Sequence, residues 1–206
     1  MKKVTDVDKF TKSKALSLAK KLVKEHMIQE PNITKDMLDL QKKGIKIVGL
    51  NNKIKNIDSL TRKIITDSLL ENITINEASN KISDVIRYTL VIDNDIYSKE
   101  IKNILDTLKN KGYIINKFKN YWGNQKYQGI NVSLSINNVK FELQFHTSES
   151  YYIKENITHV HYEKEREYID NSYGNLFFYA YSNINIPSKI LGYDYLNSNI
   201  RKITII

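Results

Sequence analysis

The stretch "QGINVSLSINNVKFELQFH", residues 128–146, decides the fold. Two runs alternate apolar and polar residues, and Asn137-Asn138 joins them. Asparagine tolerates positive φ, so the pair predicts a two-residue hairpin turn. With the turn centred there, Ile136 faces Val139, Leu134 faces Phe141, Val132 faces Leu143 and Ile130 faces Phe145. Every pair on that side is apolar. On the other side Ser133 meets Glu142, Asn131 meets Gln144 and Gly129 meets His146. Register and alternation agree, because a slip of one residue would exchange the two faces. An ordinary exposed face would be polar too. This one carries Glu, Gln, Asn, Ser and His rather than Lys and Thr. A glycine opposite His146 also leaves room for a close approach.

Outward from the hairpin, "SDVIRYTLVID" and "YIINKFKNYW" read as strands, and "SKEIKNILDTLKNKG" as an amphipathic helix ending at Gly112. Residues 8–27 read as a helix with lysines on its outer face. "NITKDMLDLQKKG" reads as a second helix, with Thr34 as N-cap and Gly44 as C′ residue. "IDSLTRKII" begins a third, capped by Asp58 or Ser59, and "NEASNKI" makes a short helical turn. Residues 148–169 read as helical, and the aromatic tail from Asn171 takes no clear pattern. The expected organisation is an N-terminal helical region over 1–48 packed on a core over 49–170, then an irregular tail over 171–206.

Composition bounds the chemistry. The 206 residues suit one main domain, and 41% hydrophobic with 27% charged residues is a globular profile. The net charge of +9 attracts phosphates, nucleic acid or anionic surfaces. The absence of cysteine excludes disulfides, thiolate metal sites and cysteine nucleophiles. Asp6 and Asp8 stand where a signal peptide needs an apolar run, and no segment is long and apolar enough for a membrane helix. A cytoplasmic protein, or one delivered into a target cell, is the expectation. His159 and His161 lie two apart, a spacing that shares a face only in a strand, and no His-Glu-x-x-His pattern supports a zinc site.

Two further segments carry chemistry. In "NKIKNIDSLTRKI", Lys53 and Lys55 precede a helix start, and Ser59 and Lys63 lie four apart on one face. Free N–H groups and a positive dipole end suit phosphate there. The segment lacks the glycines of a P-loop, and a solvated basic helix start is its plainer reading. Asp84 opens "DVIRYTLVI", and with Glu142 it is the acid most suited to a buried strand. Two such carboxylates suit Mg²⁺, which completes its shell with water and substrate phosphates.

Read in order, "KIKNIDSLTRK", "DVIRYT", "NYW", "YQGIN", "FELQFHT" and "HVHYEK" resemble the motifs of the RelA/SpoT family over about residues 50–166. These are the alarmone synthetases that move pyrophosphate from ATP to a nucleotide 3′-hydroxyl. The details look most like the divergent branch associated with phage proteins and toxins. The resemblance implies an α+β, nucleotidyltransferase-like mixed β-sheet flanked by helices, with an N-terminal helical extension. It implies Mg²⁺ as cofactor, held by Asp84 and Glu142, with Glu142 also helping to deprotonate the attacking hydroxyl. Lys53, Lys55, Ser59, Lys63 and Arg87 would bind ATP. Tyr127, Asn131, Gln144 and His146 would line the acceptor side, with Tyr127 stacking on its base. The implied partners are ATP, a nucleotide or tRNA acceptor, and an antitoxin or immunity protein, with no membrane. The alternative is a nucleotide- or RNA-binding module of a phage or toxin protein that no longer turns over. Four positions depart from the family pattern. Lys53 stands where the family has arginine, which loses bidentate phosphate geometry. Gly129 replaces serine, Asn131 replaces histidine and His146 replaces arginine. Three of the four fall on the acceptor side, so ATP with Mg²⁺ is better supported than GDP or GTP as acceptor. The sequence shows no hydrolase domain, so a product made here is not destroyed here.

Overall fold

The hairpin sets the centre of the sheet. A computed structural model describes residues 7–122 and 127–158. In it β4 (Ile130–Ile136) and β5 (Val139–His146) pair in the register expected, from Ile136↔Val139 to Ile130↔Phe145. Asn137 and Asn138 both take positive φ, at 49° and 64°. The remaining strands are β1 (Ile45–Val48), β2 (Ile86–Ile92) and β3 (Ile114–Asn120). The order is β1-β2-β5-β4-β3, with β2 and β5 parallel and the other neighbours antiparallel. The described residues are thus an α+β fold built on a mixed sheet.

One face of the sheet is core. Tyr88, Leu90, Phe141, Leu143, Phe145, Val132 and Leu134 are all at most 1% exposed. They pack with Ile33 and Met37 of α1 (Lys9–Leu38) and with Ile101, Ile104, Leu105 and Leu108 of α4 (Tyr97–Asn110). A second apolar cluster joins Ala15 and Ala19 of α1 to Leu60, Ile64 and Ile65 of α2 (Ile57–Glu71) and Ala78 of α3 (Ile75–Lys81). One long helix therefore serves both clusters, its N-terminal half on the α2–α3 pair and its C-terminal half on the sheet.

The structure corrects several expectations. The two helices read over residues 8–44 are one, and Pro31 lies inside it. Proline removes a helical hydrogen bond, but Ile33 and Met37 beyond it are fully buried and hold the helix on the sheet. Thr34 is not an N-cap: its hydroxyl donates to Glu30 and meets the Tyr88 hydroxyl at 2.7 Å. Gly44 is not the C′ residue of that helix. At φ +81° it sits six residues past Leu38, against the Asp93 and Ile96 side chains, just before β1. The cap of α2 is Asn56, whose Oδ1 accepts from Asp58 N at 2.8 Å and Ser59 N at 3.4 Å. β1 lies in the region read as helical. Its four residues are too few for a period to show. Residues 159–206, including His159, His161 and the tail, lie outside the described residues, so the helix expected over 148–169 is described only as α5 (Ser148–Ile153) and a π-helical turn over Lys154–Thr158. Among the described residues no helix is long and apolar enough to cross a membrane.

Candidate active site

The polar face is built in rows. β2 runs parallel to β5 with Arg87 beside Glu142 and Thr89 beside Gln144. β4 adds Ser133 beside Glu142 and Asn131 beside Gln144. β3 adds Lys117 beside Ser133 and Lys119 beside Asn131, after an irregularity between Ile115 and Lys117. Two rows result across β3, β4, β5 and β2: Lys117–Ser133–Glu142–Arg87 and Lys119–Asn131–Gln144–Thr89. Side chains opposite one another in a sheet share a face.

Asp84 lies in the segment just before β2, and its charge interacts with Glu142 and Arg87 of this face. An antiparallel bridge between Ile54 and Ile86 fixes the strand entry, with Lys55 N on Val85 O at 2.9 Å and Arg87 N on Lys53 O at 2.7 Å. That pairing brings Lys55 Nζ to 2.5 Å from Asp84 Oδ2, with side-chain exposures of only 10% and 18%. Burial pushes the Asp84 carboxyl up, but the charges of Lys55, Lys63 and Arg87 outweigh it and hold the carboxyl below the usual range. Glu142 goes the other way. Burial foremost, and then the charge of Asp84, raise its proton affinity against the opposing pull of Arg87 and a Gln144 hydrogen bond. Two carboxylates that feel each other are thus pushed apart in proton affinity, and three cations surround the more acidic one.

Both oxygens of Glu142 are aimed by amides. Asn131 Nδ2 donates to Oε1 at 3.0 Å and Gln144 Nε2 to Oε2 at 3.2 Å, while Thr89 Oγ1 donates to Gln144 Oε1 at 3.3 Å. Asp84 Oδ1, by contrast, is buried with no hydrogen-bond partner among the described residues. A buried unpartnered carboxylate oxygen beside a second carboxylate fits a divalent cation such as Mg²⁺.

The predicted residues fall into three groups. Asp84, Glu142, Lys55 and Arg87 come together, and the charge of Lys63 acts on Asp84 although its Nζ pairs with Asp67 at 3.1 Å. Asn131, Gln144, Tyr127 and His146 make a second, internally bonded group beside Glu142, described below. Lys53 and Ser59 stand apart from both. Lys53 Nζ is 3.2 Å from Glu30 on α1, and Ser59 Oγ accepts from Arg62 at 3.2 Å. Two of the N–H groups expected to cradle phosphate at the start of α2 already bond to Asn56. His146 is fully buried, so it lies beneath the face rather than on it.

Three residues escaped the sequence reading. Lys117 and Lys119 are exposed on the site face. Only the β3–β4 register reveals this, and the irregularity at Ile115/Lys117 hides it from simple alternation. Lys154, just past α5, is 8% exposed and sits over the Tyr151 ring with its Nζ 5.6 Å from the centroid. Burial lowers its proton affinity, an ion pair with Glu155 at 2.8 Å opposes this, and Arg87 adds repulsion while Glu142 attracts. A lysine four residues after Ser150 on the same helical face was the available signal.

No family model matches the sequence, and no curated protein matches it. Solved structures do match. A GTP pyrophosphokinase family protein from Streptococcus pneumoniae is 14% identical, with 92% of each chain covered and a TM-score of 0.50. Small alarmone synthetase 1 from Bacillus subtilis, bound to its product pppGpp, is 15% identical over 92% of this chain and 96% of that one, at 0.50. Small alarmone synthetase 2 from the same organism is 17% identical over 89% and 97%, at 0.51. The resemblance to RelA/SpoT-type alarmone synthetases is met in the fold: the chain shares their mixed sheet flanked by helices.

Proposed function

We propose that the protein is an ATP- and Mg²⁺-dependent pyrophosphotransferase whose acceptor is the 3′-hydroxyl of a nucleotide or tRNA. The observation that carries this reading is the Lys55–Asp84 ion pair, whose carboxylate acts on Glu142 and feels the charges of Arg87 on β2 and Lys63 on α2. The fold shared with pyrophosphokinases supports it. Transfer of this kind rests on positioning and charge neutralisation more than on covalent chemistry by the protein.

Asp84 and Glu142 would hold Mg²⁺, which supplies positive charge against the phosphates. Lys55, Lys63 and Arg87 hold the donor phosphates by charge. Glu142, with its raised proton affinity, takes the proton from the acceptor hydroxyl as its oxygen bonds the β-phosphorus. The bond from that phosphorus to the α–β bridging oxygen breaks, and AMP leaves with the electron pair. Lys117 and Lys119, at the open end of the rows, suit the anionic groups of the acceptor. Incubation with ATP, Mg²⁺ and each of GDP, GTP, adenosine nucleotides and tRNA tests this. AMP release by the wild type, abolished in Asp84→Asn, is expected. No AMP with any acceptor refutes the reading.

A further inference from the structure

A continuous hydrogen-bonded chain runs beneath the polar face to Glu142. Ser150 Oγ lies 2.9 Å from His146 Nδ1, and His146 Nε2 lies 2.7 Å from the Tyr127 hydroxyl. That hydroxyl donates to Asn131 Oδ1 at 2.8 Å, and Asn131 Nδ2 donates to Glu142 Oε1 at 3.0 Å. Thr147 fixes the far end through a reciprocal cap, with Thr147 N on Ser150 Oγ at 3.0 Å and Ser150 N on Thr147 Oγ1 at 3.2 Å. His146, Thr147 and Ser150 are all fully buried. Gly129 makes the histidine fit: a Cβ there would stand 2.8 Å from His146 Cε1.

Counting protons gives the chain a direction. A tyrosine hydroxyl carries one hydrogen, and here Asn131 Oδ1 receives it. His146 Nε2 is then the N–H donor to Tyr127, and in the neutral ring Nδ1 is an acceptor facing the Ser150 hydroxyl at 2.9 Å, which also lies 3.3 Å from the Thr147 carbonyl oxygen. Neutral imidazole satisfies both roles. Burial, and then the charge of Lys154, keep the ring neutral against the opposing backbone carbonyl of Gln128. From His146 onward every hydrogen in the chain therefore points towards Glu142. The Asn131 amide interrupts any proton route, so the chain orients rather than conducts.

We propose that His146 and Tyr127 are positioning residues that lock the Asn131 amide with its N–H on Glu142, so that the carboxylate meets its substrate in one orientation. Without the Tyr127 hydroxyl the Asn131 amide loses the donor to its oxygen and is held at that end by Glu142 alone, so its orientation loosens. This rests on reading Glu142 as the reacting carboxylate, but the chain has a signature independent of turnover.

Side-chain ¹⁵N spectra of the wild type, free of metal and substrate, read the His146 tautomer directly. A single protonated nitrogen assigned to Nε2, with its hydrogen in slow exchange, is expected. In Tyr127→Phe that hydrogen should exchange at least about tenfold faster, because its acceptor is gone. Where AMP release is measurable, Tyr127→Phe should lower kcat about tenfold and leave KM for ATP within about twofold. A protonated Nδ1 in the wild type overturns the proposal. So does a Tyr127→Phe variant whose Nε2 hydrogen exchanges unchanged, or one that raises KM in place of lowering kcat. An inactive wild type with the expected spectrum would refute the pyrophosphotransfer reading and leave the chain's polarity established.

Discussion

Gly129→Ala tests the site's architecture without touching a polar group. Gly129 has φ +152°, and an added Cβ would stand 2.8 Å from His146 Cε1, 3.0 Å from Nδ1 and 2.9 Å from the Phe145 carbonyl oxygen. None of the three can yield easily. His146 is bonded at both nitrogens. The Phe145 carbonyl accepts the Tyr97 hydroxyl at 2.8 Å, and that hydroxyl accepts Trp122 Nε1 at 3.1 Å. β5 itself is hydrogen-bonded on both sides. The strained backbone costs about 1–3 kcal/mol and overpacking about 1–3 kcal/mol. A loss of about 3 kcal/mol would lower Tm by about 6–12 °C in a chain of this size. Urea titration of wild type and Gly129→Ala at pH 7 measures it. Repeating the substitution in a His146→Ala background should recover about half, since the carbonyl clash and the backbone strain remain. A loss below about 1 kcal/mol, or a full recovery with His146→Ala, would refute the claim that Gly129 is demanded by ring and carbonyl together.

Other perturbations read other parts of the site. Lys55→Met removes the ion-pair partner of Asp84, leaves only the charges of Lys63 and Arg87 acting on it, and should cost about 3 kcal/mol at pH 7. Because Asp84 has a depressed folded pKa, its contribution exists above the unfolded value and is lost as pH falls through the folded one. The gap between wild type and variant in urea should therefore shrink below about pH 4, and a gap that widens would reverse the assignment. Lys154→Met should raise stability by about 1 kcal/mol at pH 7, because burial penalises its charge. A lysine with a lowered folded pKa costs stability below that value and is relieved as pH rises through it, so the gain should vanish towards pH 10 in melting scans. Glu142→Gln should cut AMP release at least about 100-fold, and a variant within tenfold of wild type would exclude Glu142 as the base.

The sequence made the hairpin legible because three constraints coincide there: alternation, a turn of two asparagines and a register that leaves no apolar residue on the polar side. Glu142, Gln144 and Asn131 follow from that register alone. Asp84 and Lys55 were legible as residue types, but their 2.5 Å contact depends on an isolated bridge at Ile54/Ile86 that no local pattern announces. The reading of two helices, the second capped at Thr34, failed because a local capping signal competed with two fully buried side chains, Ile33 and Met37. Lys53 failed to join the site for a related reason. Glu30 lies far from it in sequence, and only the unbroken helix brings that carboxylate within 3.2 Å.

The two sides of the polar face differ in what they leave open. On the side of Asp84 an oxygen is unpartnered among the described residues. On the side of Asn131 and Gln144 each side chain already satisfies another. A carboxylate oxygen accepts two hydrogen bonds, so each oxygen of Glu142 keeps one lone pair beyond its amide. An incoming hydroxyl that used those lone pairs would not need to disturb the chain from His146. The row Lys117–Ser133–Glu142–Arg87 then offers the approach, since Ser133 is half-buried, Lys117 is exposed and neither amide stands in it. The substituted acceptor-side residues Gly129, Asn131 and His146 would on this view act by orienting Glu142 from beneath. Acceptor choice would pass to the exposed end of the two rows, where Lys117 and Lys119 favour a ligand carrying its own phosphates.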